Sequence, residues 1–245
     1  MLTLITLLPF LSATIMLLFC VLVIRRFFEF RALHFLFWGA GLFMFSIASF
    51  AEAYLSLAWS PWAFFGWYFF GAVLNAAWIG HGTMHLLFTP IRVGPWTTLL
   101  LLGSLAALTL MLQVMPLLDQ NRFTTGMPIS KQYSSIMPPV HDGATIRMAT
   151  PLFNVYGLIT LVGGALWSSY LYYRKRVLRN RMVGNLLIAS GVLLISFAGL
   201  LTRMGFGTWL YLGELLAAGL MFSGFLVTGR VTPMASTKIS EPLSQ

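Results

Sequence analysis

Charged side chains are what this chain has least of: Asp, Glu, Lys and Arg make up 9% of its 245 residues, and Asp and Glu together number only 6. Soluble domains carry about 25% charged residues, so a water-facing surface over most of the chain is excluded. Cysteine is scarcer still. Cys20 stands alone inside an apolar run, which excludes an intramolecular disulfide and a cysteine-rich metal centre. Met1–Ser12 holds no basic residue and the apolar run continues to Ile24, so the start reads as a retained helix and not a cleaved signal. No phosphate-binding glycine loop, activated nucleophile or catalytic carboxylate pair is visible, and no catalytic residue is assigned.

What is present is apolar sequence, 58% hydrophobic with a mean hydropathy of +0.84. A spanning helix needs roughly 20 apolar residues, because within lipid each backbone amide must find its partner inside the segment. Seven stretches qualify: Leu4–Ile24, Leu33–Leu57, Ala63–Phe88, Trp96–Met115, Pro151–Tyr173, Met182–Leu201 and Trp209–Thr228. The expected fold class is therefore all-α, a polytopic membrane bundle of seven transmembrane helices filling residues 1–228, with a long outer loop at 116–150. Residues 229–245 read as a disordered cytoplasmic tail.

Basic residues orient the bundle. Arg25, Arg26, Arg31, Arg92, Arg174, Lys175, Arg176, Arg179, Arg181, Arg230 and Lys238 fall on one side, against Arg122, Lys131, Arg147 and Arg203 on the other. This predicts an inner-membrane protein with its N-terminus outside and its C-terminus cytoplasmic. The net charge of +9 follows from that bias and from contact with anionic lipid, so no nucleic-acid partner is read from it.

Ala63–Phe88 is the organising stretch, a spanning helix that carries an Asn and two His. At 100° per residue, Trp67, Gly71, Asn75, Trp78, Gly82 and His85 share a face suited to protein, and Phe69, Phe70, Val73, Ala77, Met84 and Phe88 share one suited to lipid. In the second helix His34, Trp38, Gly41, Phe45, Ala48 and Glu52 recur at spacings of four and three. Small or polar residues Asn154, Gly157, Gly164 and Ser168 line one face of the fifth, and Asn185, Ala189, Val192, Ser196, Gly199 and Arg203 one face of the sixth. The fourth helix reads as peripheral or as a linker. Its long following loop is either an ordered cap or disordered.

An internal repeat is expected from two alignments. Trp67, Gly71 and Leu74 match Trp209, Gly213 and Leu216, while Gly41 and Ser46 match Gly191 and Ser196. Two parallel three-helix repeats joined by the fourth helix would produce them; chance in so apolar a chain is the alternative.

The segments Phe65–Leu74, Ala77–Thr83, Asn154–Gly157 and Tyr211–Leu216 resemble a group of uncharacterised seven-helix bacterial membrane proteins. More loosely, the chain resembles the seven-helix sensor region of bacterial histidine kinases. That resemblance implies sensing through a separate protein carrying the output, and it transfers no site residue. Microbial rhodopsins are excluded by the lack of a lysine in the seventh helix, and small sugar carriers lack a counterpart here for their Pro-Gln signature.

Three constellations could carry chemistry. Glu52, Asn154, Arg203 and Glu214 fall at similar outer depth on four helices, with a Glu52–Arg203 bridge expected and Glu214 left for a cation, proton or polar ligand. A purely structural polar clamp is the alternative. His81 and His85 lie one turn apart with His34 at comparable depth, a set that can hold metal or haem iron or serve only as core and interfacial histidines. Asn75 lies mid-membrane near Trp38 and Trp78, where it either bonds a ligand in an aromatic pocket or bonds a neighbouring helix.

Three functional classes follow. The first is a receptor-like or accessory component that binds a small or lipidic ligand in an outer-facing cavity and works through a protein partner or oligomer. The second is a small carrier built from the two repeats, and the third a haem-binding electron-transfer subunit. No cofactor is fixed by the sequence.

Overall fold

A computed structural model describes residues 4–175, 179–203 and 208–229, with the side chains of residues 4, 5, 175, 179, 196, 199–203, 208, 209 and 229 outside the description. The expected disordered tail lies outside it from residue 230 onward, as does the centre of the basic connection before the sixth predicted span. Eight helices make up the described chain: α1 (Leu4–Phe30), α2 (Leu33–Leu55), α3 (Pro61–Leu87), α4 (Pro90–Val114), α5 (Ile129–Ile136), α6 (Ile146–Lys175), α7 (Arg179–Arg203) and α8 (Thr208–Gly229). No strand occurs among the described residues. All except α5 and α7 are long and apolar enough to cross a bilayer, which gives 6 candidate spans. Helix α7 runs for 25 residues, and its described apolar stretch is Asn180–Ile195.

Six helices close into a ring in the order α1, α2, α3, α6, α7, α8 and back to α1. Helix α4 packs outside it, against α3 and α6, so its expected peripheral place is observed. Local sequence explains the tight corners. Arg31 adopts φ 52°, a left-handed conformation that reverses the chain between α1 and α2 in two residues. Ser60 caps α3 by accepting from the Ala63 amide at 3.3 Å, and Pro61 occupies the first turn, where its missing N–H costs nothing.

Helix α3 departs from the regular geometry assumed for its sequence. Gly66–Leu74 is π-helical, so residues along it advance by a different angle per residue than in an α-helix. It is also the most buried span, with 56% of its apolar window inside the protein. Phe69, Val73 and Ala77, expected on a lipid face, are buried. Two causes act together: α3 has α2 on one flank, α6 on the other and α4 behind it, and the π-helical stretch shifts the phase of its side chains.

Glycines set the seams of the ring. A Cβ on Gly157 of α6 would run into the Ala76 backbone of α3, and one on Gly80 would meet Thr160 and the Gly157 carbonyl, so these backbones touch. The α2–α3 and α7–α8 pairs show matching contacts. Gly71 lies against Ala48, and Gly213 against Ala198; Gly41 abuts Ile79 and the Asn75 carbonyl, and Gly191 abuts Met221 and the Ala217 carbonyl. Gly82 meets Trp38 and the His34 carbonyl, and Gly224 meets Ile188 and the Gly184 carbonyl.

The connection between α4 and α6 is folded as a cap over one end of the ring. Ile129, Ile136 and Met137 bury themselves against an aromatic cluster that includes Phe64, Trp67 and Tyr68. Gln132 fastens the cap by accepting from the Thr124 amide at 2.8 Å and donating to the Thr124 and Met127 carbonyls at 3.1 and 2.9 Å. The Gly126 amide donates to the Ser56 carbonyl at 3.1 Å, tying the cap to the end of α2.

Two glycines of α6 should respond oppositely to a single methyl group. Gly157→Ala is expected to destabilise by about 1–3 kcal/mol, because the α3 backbone cannot yield. Gly163 has nothing within 4 Å. Gly163→Ala should therefore be neutral or stabilising by up to ~1 kcal/mol. Thermal denaturation of both variants in one detergent checks the contrast.

Candidate functional site

At the end of the ring opposite the cap, where α1 turns into α2 and α6 leads into α7, the six ring helices enclose a cavity of about 640 Å³. Its depth is apolar, with Phe19, Leu42, Ile79, Leu161, Ile188 and Met221 contributed by all six helices. Its mouth is polar and basic, formed by Arg26, His34, Asn180, Arg181 and Asn185. The cavity thus opens at the basic end of the bundle and not at the capped end where one was expected. The reason is packing: the cap and the aromatic cluster below it fill the other end.

Beyond the cavity floor, the ring interior is plugged by Phe45 and Val192 packed with Leu42, Leu161 and Met221. Past that plug lie the two carboxylates singled out from sequence. Glu52 of α2 and Glu214 of α8 are brought within hydrogen-bonding reach of each other, with Trp67 of α3 within reach of Glu52. The Tyr211 hydroxyl lies in the electrostatic field of both. Glu52 is 2% exposed and Tyr211 1%. Among the described residues, Glu52 Oε1, Glu214 Oε2 and the Tyr211 hydroxyl have no hydrogen-bond partner. The ion pairs among the described residues, Arg26–Glu29, Arg122–Asp119 and His141–Asp142, involve neither carboxyl. The Arg203 side chain, expected to bridge to Glu52, lies outside the described residues.

Asn154 does not join this pair. Its Nδ2 donates to the Ala72 carbonyl of α3 at 2.6 Å and to the Thr150 carbonyl at 2.8 Å, a bond that clamps α6 onto the π-helical stretch. Asn75 closes that stretch, is half-buried and does not line the cavity. The aromatic pocket expected around it is not assembled. Trp38 turns into the cavity and donates to Thr83 at 3.4 Å, whereas Trp78 turns outward and donates to Ser104 of α4 at 3.2 Å.

The histidines divide as well. His34 stands at the cavity mouth with its ring edge-on to Trp38. His81 is fully buried on another side of α3, bonded through Nδ1 to the Tyr156 hydroxyl at 2.7 Å and through Nε2 to Thr97 Oγ1 at 2.8 Å. His85 Nε2 reaches the same Thr97 oxygen at 3.1 Å, while Thr97 donates to the Val93 carbonyl at 3.1 Å. One proton assignment satisfies every bond: Tyr156 donates to His81 Nδ1, and both Nε2–H groups donate to Thr97. In that arrangement both His81 nitrogens are committed. Among the described residues no group of three or more His, Cys, Asp or Glu is placed to hold a metal ion.

Sequence reasoning missed Thr97, Tyr156 and Tyr211. Thr97 fell at the very start of the predicted fourth span, whereas α4 begins at Pro90, one turn and more earlier. The two tyrosines stood only within the segments Asn154–Gly157 and Tyr211–Leu216 that carry the resemblance. Their spacing carried a usable signal only for Tyr211, which lies three residues before Glu214 and so shares its face.

No protein-family model, curated protein or solved structure matches this chain.

Removing the Thr97 hydroxyl tests the histidine network. Thr97→Val leaves two histidine N–H groups without an acceptor and is expected to cost about 1–3 kcal/mol. In a double-mutant cycle with His81→Leu the costs should be strongly non-additive, because both changes break the same bond. Thermal melts of the four proteins give the coupling.

Proposed function

We propose that this is a seven-helix integral protein of the inner membrane, N-terminus outside and C-terminus cytoplasmic, that binds a small amphipathic ligand in the cavity at its cytoplasmic end and acts through a protein partner. The observation that carries this reading is the cavity itself: about 640 Å³, apolar in its depth and basic at its mouth. That volume lies within the roughly 300–1,000 Å³ of small-molecule sites. An apolar tail would fill the space beside Leu42, Ile79 and Leu161, and an anionic or polar head would meet Arg26, His34 and Arg181. The orientation is supported by the gathering of basic residues at this end. Helix α7 serves as the seventh span, supported by its 25-residue length. The likeness to seven-helix sensor regions fits a ligand-reading role in which output passes to another protein at the basic connections.

A carrier is the second reading, and the matched glycine contacts favour it. The α2–α3 and α7–α8 pairs pack in corresponding register, as expected if α1–α3 and α6–α8 are two parallel repeats. A ring open at one end and plugged at the other is the form such a carrier takes when it faces the cytoplasm.

Native mass spectrometry of the full chain in nanodiscs drawn from its own membrane tests the first reading. A single amphiphile should remain bound, and Ala165→Trp, which fills the cavity wall, should abolish the adduct. Arg26→Gln with Arg181→Gln should weaken binding of an anionic amphiphile by about tenfold or more. An adduct unchanged by Ala165→Trp would place the ligand elsewhere. Flux of the identified ligand into liposomes separates carrier from receptor.

A further inference from the structure

The ring interior holds many polar side chains, and most are bonded to a neighbour or to a backbone carbonyl. Glu52, Tyr211 and Glu214 are the exception: three acidic or hydroxyl side chains come together there, each with a buried polar atom that has no partner. Among the described residues, the other titratable groups on the helices packed around them are exposed or engaged elsewhere. Tyr54 on α2 is exposed, Tyr68 on α3 is bonded to Thr150 at 3.1 Å, and Arg147 at the start of α6 is held by the Met137 and Pro138 carbonyls at 3.3 and 3.0 Å. Helix α1 brings no charged residue between Leu4 and Met16, and Arg203 at the end of α7 has its side chain outside the description.

Two ionised carboxylates repel and offer no donor, so contact at hydrogen-bonding reach needs at least one proton between them. Two neutral acids closed into a cyclic pair would engage all four oxygens; among the described residues Glu52 Oε1 and Glu214 Oε2 have no partner, so the pair is not closed in that way. One proton on the pair satisfies the contact and leaves one carboxylate charge, and the Tyr211 hydroxyl, three residues before Glu214 on α8 and without a partner among the described residues, is the donor on hand. We propose that Glu52 and Glu214 together hold one exchangeable proton inside the ring, with Tyr211 as the hydroxyl that answers the remaining charge.

The chemistry is a simple ionisation. The O–H bond of one carboxyl breaks, the proton passes to water and both electrons stay on the carboxylate oxygen. The pair then carries two like charges, one on α2 and one on α8, on either side of α1. Their repulsion in a low-dielectric interior acts to part the helices that flank α1, so the proton works as a latch on the ring. This inference stands apart from the cavity, which lies on the other side of the apolar plug and takes no part in the test.

Infrared difference spectroscopy of the full chain in lipid nanodiscs over about pH 5 to 10 reads the pair directly. One protonated-carboxyl band should be lost as pH rises, with a matching gain of carboxylate and release of one proton per chain. The band should be absent from the isosteric Glu52→Gln/Glu214→Gln double variant, and Tyr211→Phe should remove a tyrosine hydroxyl band that changes with it. A carboxyl band that never titrates would make the pair two fixed neutral acids and overturn the proposal. So would persistence of the titration in the double variant. Loss of the band at constant pH on adding sodium chloride, but not N-methylglucamine chloride, would make this a cation site instead.

Discussion

Close backbone contact is the constraint on which the rest of this structure depends. In lipid, apolar side chains gain little by leaving one greasy environment for another, so helices hold together where their backbones can approach. Gly80 and Gly157 let α3 and α6 touch; Gly41, Gly71 and Gly82 do the same for α2 and α3; Gly191, Gly213 and Gly224 do it for α7 and α8. Once those seams are fixed, six helices close a ring whose interior is set by geometry and only partly filled.

How the interior is filled then separates its levels. At the basic end the space between the helices is left open as the cavity. In the middle Leu42, Phe45, Leu161, Val192 and Met221 interlock. Toward the capped end the space narrows around Glu52, Trp67 and Glu214, and the cap closes it with Ile129, Ile136 and Met137. The π-helical stretch of α3 spans this narrow region, and Asn154 braces it from α6. A helix end or bulge that frees carbonyls within lipid must find donors from neighbouring helices, and Asn154 is such a donor for Ala72.

Much of this was legible in the sequence, though unevenly. The α2 face running from His34 through Trp38, Gly41, Phe45 and Ala48 to Glu52 is the inward face of that helix, because an unbroken α-helix preserves the spacing of four and three. A straight helix converts residue number into height, which put Glu52, Asn154, Arg203 and Glu214 at similar depth, but depth alone does not say which of those side chains meet. The α3 faces were misjudged for two reasons invisible in periodicity: the π-helical stretch, and a third neighbour, α4, covering the side assigned to lipid. The cavity could not be located either. Its walls come from six helices whose relative order around the ring depends on seams that one helix's pattern does not encode.

Satisfaction of hydrogen bonds is what divides structural polarity from the rest. His81 and His85 looked like candidate ligands by spacing, yet both His81 nitrogens, His85 Nε2 and the Tyr156 and Thr97 hydroxyls form one closed set in which each donor has an acceptor. Such a set resists change, because removing one member strands the others. Asn154 and Trp78 are tied in the same way to a carbonyl and a hydroxyl. Among the described residues Glu52, Tyr211 and Glu214 have no such closure, although Glu52 and Tyr211 are nearly as buried as His81. An unfilled acceptor in a membrane interior is costly to keep, so its persistence beside a second carboxyl and a hydroxyl is explained by something that comes and goes, and a proton is the smallest thing that can.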